Sequence, residues 1–315
     1  MRTIWKPLIA AFAIGLAAFL LYRTLSRYSM DQLFEAVSAI PATRLAAAGA
    51  FAAASYVCLS GFDYLALRYV GHKLPYYKAA WASFTSLSLG HNIGLAFLSS
   101  GAVRYRFYTR WGLNAEQVAK VIVFCGATVG LGLMVLGGTA LLLRSGLAAE
   151  ITGLTKSVVI PLGAVCLVLP MLYLGLSALV RKPLRIGRWS LEIPPLRLAI
   201  GQVVFGSANF ACVAACLHQA LAAVSDVAYL GVASVYVIAN STALISHVPG
   251  GLGVIESVVM YLLPGQDLIG PLLVFRCVYF LIPLCFGIIL FPATELFYRR
   301  KRHASSGATD APARA

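Results

Sequence analysis

The chain has 315 residues, of which 60% are hydrophobic and only 11% charged, and its mean hydropathy is +0.84. A water-soluble domain carries about a quarter charged residues; here too few polar side chains exist to coat an aqueous surface, and a soluble enzyme is excluded. The 25 Lys and Arg against 11 Asp and Glu give a formal charge of +14. Most of these basic residues lie outside the apolar runs, so the positive-inside bias and an anionic lipid surface explain the excess, and no nucleic acid is implied as a partner.

The elements follow in chain order. Residues 7–22 form an apolar stretch behind a basic start; with no convincing Ala-x-Ala cleavage site after them, they read as a first span rather than a signal peptide. Ser29-Met30-Asp31-Gln32 reads as a capping box. Met30, Leu33, Phe34, Val37 and Ile40 then recur at helical spacing opposite Asp31, Glu35 and Ser38, which predicts an amphipathic helix lying on the membrane. Further apolar runs occupy 45–67, 79–103, 118–143, 157–180, 198–223, 227–245, a short 252–263, and 268–296. Trp5, Tyr22, Tyr69, Tyr76, Tyr77, Trp111, Trp189 and Tyr298 flank these runs as an aromatic belt should. After the last run the chain turns to Arg299-Arg300-Lys301-Arg302 and a Ser/Ala/Pro tail, expected to be disordered.

Two runs are irregular. The one at 79–103 is interrupted by Gly90-His91-Asn92-Ile93-Gly94, and the pair after Val227 meets at Ser246-His247-Val248-Pro249-Gly250-Gly251, where Pro249 and the glycines forbid a continuous helix. Each break is Ser-rich, then His, then Gly, then a short apolar helix. A pair of broken segments at corresponding places in two halves points to an inverted-repeat transporter, with repeat one at about 1–145 and repeat two at about 155–296 of a single transmembrane domain, 1–296, followed by a basic tail, 297–315. If both breaks are re-entrant hairpins and both termini are cytoplasmic, 19 of the 25 basic residues fall inside, five outside and Arg276 within the membrane. That asymmetry favours the layout. The second pair could instead cross twice, so six and eight spans both remain open. The expected fold is therefore an all-α polytopic integral membrane protein, built from two inverted repeats.

Chemistry-bearing groups are few. The seven Cys form no CxxC pair and read as small core hydrophobes; no nucleotide loop, HExxH or GxSxG motif occurs, so no metal or other cofactor is expected. A half-helix beginning inside the membrane aims unpaired N–H groups and its positive dipole end at whatever lies there, which suits a phosphate. Gly94, Gly250, Gly251 and Gly253 would let a ligand approach the backbone. With Pro249 opening the second half-helix, Pro249, Gly253, Glu256 and Met260 form one stripe; Gly94, Gly101 and Arg104 share a face of the first. His91 and His247, with Asn92 beside the first, are hairpin-tip hydrogen-bonding residues or proton carriers, and Asp63 and Glu256 are further proton-carrier candidates. Asp63 snorkels or pairs with Arg68; the charge of Glu256 is met by Arg276, a substrate amine or a proton. Gln202, Asn209 and His218 read as interhelical hydrogen-bonding groups.

At Gly90-His91-Asn92-Ile93-Gly94, at Ser99-Ser100-Gly101-Ala102-Val103-Arg104-Tyr105-Arg106 and at Ser246-His247-Val248-Pro249-Gly250-Gly251-Leu252-Gly253-Val254-Ile255-Glu256, the chain resembles the transmembrane flippase region of bacterial lysylphosphatidylglycerol synthetases, the multiple peptide resistance factor family. That resemblance implies movement of phospholipid, such as aminoacylated phosphatidylglycerol, to the outer leaflet, which underlies resistance to cationic antimicrobial peptides. Synthesis in that family belongs to a C-terminal acyltransferase-like domain using aminoacyl-tRNA. This sequence ends soon after its last run, so a non-enzymatic, stand-alone translocator is expected, with His91, Asn92, Gly94, Arg104, His247, Gly250, Gly251, Gly253, Glu256 and Arg276 at the substrate. The alternatives are a non-transporting membrane partner of a separately encoded synthetase and a secondary transporter of a small solute. A homo-oligomer is also open.

Overall fold

The computed structural model describes residues 30–93, 96–180, 184–186, 189–263 and 268–309. The expected first span at 7–22, the Ser29 cap and Gly94 lie outside them. Helix boundaries fall where sequence chemistry demands. Helix α1 (Met30–Ser38) is followed by Pro41, whose fixed φ of −54° precedes α2 (Ala42–Tyr69). Helix α3 (Tyr76–Ile93) is followed by α4 (Ala96–Arg110). Asn114 then caps α5 (Ala115–Leu143) through a reciprocal box, accepting from Gln117 N at 2.8 Å while its own N–H donates to Gln117 Oε1 at 3.0 Å. A short α6 (Ser145–Thr152) ends on left-handed Gly153, before α7 (Lys156–Leu179). A three-residue ladder of β1 (Leu184–Ile186) with β2 (Trp189–Leu191) interrupts the connection, and α8 (Leu196–Leu221) begins after Pro195.

The rest of the chain comprises α9 (Tyr229–Ser246), a tight turn at Pro249–Gly251, α10 (Val254–Leu262), α11 (Ile269–Arg276), a π-helical turn at Cys277–Leu281 and α12 (Ile282–Thr309). Pro283 explains the π turn: it lacks the N–H that would bond Tyr279 O, and Tyr56 Oη donates to that carbonyl at 3.5 Å instead. Helix α12 continues to Thr309, through the Arg299–Arg302 run, so the helix passes the boundary expected at 296.

Among the described residues, six helices are long and apolar enough to cross a membrane: α2, α5, α7, α8, α9 and the continuous Ile269–Tyr298 segment. The chain is an all-α polytopic membrane protein. Helix α2 lies along α8, with Phe205 against Gly61 and Leu65 against Gly201. Helices α5 and α8 meet backbone to backbone at Gly132 and Gly206, where a Cβ on Gly132 would stand 2.4 Å from the Gly206 carbonyl. Helix α1 packs on α11. Its stripe is narrower than the spacing suggests: Ile40, just beyond its end, is buried and Val37 half-buried, but Phe34 is 70% exposed.

Both irregular regions fold as hairpins. In the first, Gly90 lets α3 and α4 touch, since a Cβ there would lie 2.7 Å from Ser100 Cβ. The hairpin returns to the level it left. Its exit at Trp111 lies beside its entrance, with His72 Nε2 at 3.1 Å from Trp111 O and Lys78 Nζ 5.7 Å from the Trp111 ring. In the second, α10 has nine residues and rises about 13.5 Å, less than half of a hydrocarbon core of about 30 Å. α10 by itself is therefore too short to cross the core, whereas α9 is long enough.

Candidate functional site

The two hairpin tips meet. Gly250 of the second reaches the backbone of His91 and Asn92 in the first, its Cβ position lying 3.6 Å from His91 O and 3.7 Å from Asn92 Cα. The second tip needs a left-handed backbone at four places: His247 (φ 53°), Gly250 (62°), Gly251 (57°) and Gly253 (82°). Glycine supplies three of them without steric cost, and His247 closes α9 with Nδ1 2.7 Å from Ile245 O. The half-helix therefore starts at Val254 with Gly253 as its cap, and Pro249 belongs to the preceding turn; the expected stripe from Pro249 does not form, because the glycines break helical phase between Pro249 and Glu256.

Glu256 and Arg276 brace this tip. Glu256 Oε2 accepts from Gly253 N at 2.9 Å and Oε1 accepts from Arg276 Nε. Arg276 also donates to Gly250 O at 2.8 Å and to Gly251 O at 3.2 Å, and lies over the Phe280 ring at 5.0 Å. Of the three partners the sequence offered Glu256, the structure supplies Arg276. The first tip is tied down more simply: Asn92 Nδ2 donates to Ser88 O at 2.9 Å and to Phe280 O at 3.4 Å.

A second buried network ties the first hairpin to α2. Arg104 Nε and Nη2 donate to Asp63 Oδ1 and Oδ2, each at 2.8 Å, Tyr108 Oη donates to Asp63 Oδ1 at 2.6 Å, and Arg104 Nη1 donates to Ser100 Oγ at 3.0 Å. Asp63 neither snorkels nor pairs with Arg68, whose guanidinium bonds Tyr64 Oη and covers that ring at 4.8 Å. The distinction is geometric: five residues beyond Asp63, about 140° round the helix, Arg68 points outward, whereas Arg104 enters from the hairpin with the planar fork that fits a carboxylate. Arg106 and Arg110 converge on Glu295 at 2.7 to 3.0 Å.

Between the tips and helices α2, α5, α8 and α9 lies a cavity of about 530 Å³. Its wall includes His91, Arg104, His247, Gly250 and Gly251, together with Ser100, Asn209, Asn240, Tyr236 and Tyr279. Asp63, Asn92, Gly253, Glu256 and Arg276 are not on it; they hold the residues that are. His91 stacks on Tyr279, with ring centroids 6.4 Å apart, and its buried Nδ1 has no hydrogen-bond partner. Asn209 Oδ1 accepts from Ser55 Oγ at 2.7 Å. Of the other polar residues in that helix, Gln202 Nε2 donates to Phe124 O and Thr128 Oγ1, both at 3.1 Å, and His218 contacts Val227 O at 3.1 Å. Asn240 and Tyr279 escaped the sequence reading; their only signal was polarity inside apolar runs.

No protein-family model matches the chain. Over 317 residues it is 32% identical to the uncharacterized protein slr0712 of Synechocystis sp., with 97% of this chain and 98% of that protein aligned. The chain belongs to the slr0712 family. It is also 27% identical over 263 residues to the inner membrane protein YbhN of Escherichia coli, covering 81% of each. A YbhN relative and six apolar helices make this member of the slr0712 family a multi-pass inner-membrane protein. Neither relative's name carries an enzymatic activity, and neither carries the lysylphosphatidylglycerol flippase identity that the motifs resemble.

Proposed function

We propose that this protein moves a phospholipid between bilayer leaflets, its head group passing through the cavity at the hairpin tips while the acyl chains stay in lipid. One observation carries the reading. The cavity joins a polar interior around Arg104, His91 and Asn240 to an apolar flank of α9, where Leu244 on its wall is 47% exposed and the adjacent Ile245 is 77% exposed. Exposed apolar side chains beside the cavity suit an approach from lipid rather than from water. Two hairpins whose tips meet at one cavity suit a site that is reached in turn from both leaflets. Arg104 is the group proposed to meet the phosphate; Arg276 and Glu256, which the sequence also put at the substrate, are proposed to hold the tip in shape.

The test is purified protein in vesicles carrying a trace of tail-labelled fluorescent phospholipid, with outer-leaflet label quenched chemically. The expected result is loss of nearly all fluorescence in protein-containing vesicles against about half in empty ones. A folded preparation that leaves half the signal, or that instead lets a small polar solute equilibrate, overturns the proposal.

A further inference from the structure

Resting on that reading, we infer that the cavity selects a phospholipid whose head group beyond the phosphate is an uncharged polyol, and discriminates against head groups carrying an amine. The charge inventory leads there. Asp63, Glu256 and Glu295 are the described carboxylates held within the packed interior, and each is bonded to arginine: Asp63 to Arg104, Glu256 to Arg276, Glu295 to Arg106 and Arg110. None of them lines the cavity, and among the described residues no other Asp or Glu does. An ammonium brought into this space would meet no counter-charge, which is unfavourable within a membrane.

The Asp63–Arg104 pair is neutral overall but oriented. Asp63 is fully buried behind Arg104 and away from the wall, whereas Arg104 is on it. The cavity thus faces the positive end of the pair, which suits a phosphate. The other polar side chains on the wall carry hydrogen-bonding groups and no carboxylate: Asn209, Asn240, Ser100, Tyr236, Tyr279, His247 and His91, whose Nδ1 is buried without a partner. Carboxamides and an imidazole suit hydroxyl groups, which donate and accept at once.

The experiment is binding, read separately from transport. Purified protein in mild detergent at raised ionic strength, which screens its surface charge, is titrated with phosphatidylglycerol or lysylphosphatidylglycerol of identical chains, and occupancy is read by native mass spectrometry. Phosphatidylglycerol is expected to bind at least about tenfold more tightly. Asn240→Asp, which adds a carboxylate to the wall at almost unchanged volume, is expected to narrow or reverse that ratio. Equal or tighter binding of the lysyl lipid by the unaltered protein, no binding of either, or an unchanged ratio in a folded Asn240→Asp variant overturns the inference. Preference for phosphatidylglycerol without lipid movement in vesicles would instead sink the translocation reading and leave the head-group assignment standing.

Discussion

At the scale of single residues, the two buried ion pairs are wired differently, and that difference is measurable. Asp63 accepts from Arg104 and Tyr108 alone among the bonds that fix it. Removing its charge strands a buried guanidinium, so Asp63→Asn is expected to destabilise the protein by about 3–5 kcal/mol in reversible unfolding by detergent. A joint Asp63→Leu, Arg104→Met variant should regain most of that stability and still fail to bind phosphatidylglycerol; full binding by the double variant would remove Arg104 from the phosphate. Arg276 behaves otherwise, because it serves Glu256 and two carbonyls of the turn together. Glu256→Gln with Arg276→Gln is therefore expected to stay destabilised relative to Glu256→Gln alone, since Gly250 O and Gly251 O lose their donors. Recovery in that pair would mean the two side chains merely balance each other.

At the scale of elements, glycine separates structural contact from spare capacity. A Cβ on Gly132 or Gly206 would drive into the opposing backbone at 2.4 and 2.6 Å, whereas one on Gly130, in the same helix as Gly132, meets nothing within 4 Å. Gly132→Ala and Gly206→Ala are expected to cost about 1–3 kcal/mol or more through separation of α5 from α8. Gly130→Ala should be neutral or stabilising by up to about 1 kcal/mol, as expected inside a helix. Similar losses in all three would show that these positions report helix propensity and not packing. The hairpins carry the same lesson. The breaks were legible at Gly90–Gly94 and Ser246–Gly251 because glycine, proline and histidine interrupt apolar runs there. Where the second half-helix begins was not, because three left-handed glycines shift its start to Val254, and a run of glycines does not reveal in sequence which of them turns the chain.

At the scale of the molecule, the described topology predicts sidedness. Lys73 and Ala115 flank the first hairpin, and Trp111 between them packs on Tyr298 through a 3.0 Å bond from its Nε1 to Tyr298 Oη. Single cysteines replacing Lys73 and Ala115 are expected to react with an impermeant reagent from the same, cytoplasmic, side, and a cysteine at Asp226 from the opposite one. Labelling of Lys73→Cys and Ala115→Cys from different sides would make the first hairpin a crossing.

Some of this was determined by sequence alone. Composition put the chain in a bilayer, since 11% charged residues cannot coat a soluble surface. Periodicity and breakers located α1, the spans among the described residues and the two interrupted regions, because apolar run length and the backbone limits of glycine and proline act locally. The tertiary structure alone decided which charges neutralise which. Asp63 chose Arg104 over Arg68, 41 residues away against five, and Glu256 settled on Arg276 and thereby left the cavity wall. An intramembrane charge must find a partner or change its protonation, but that rule names no partner. The partner is whichever opposite charge the packing of distant helices brings within about 3 Å, and that distance is a property of the assembled bundle.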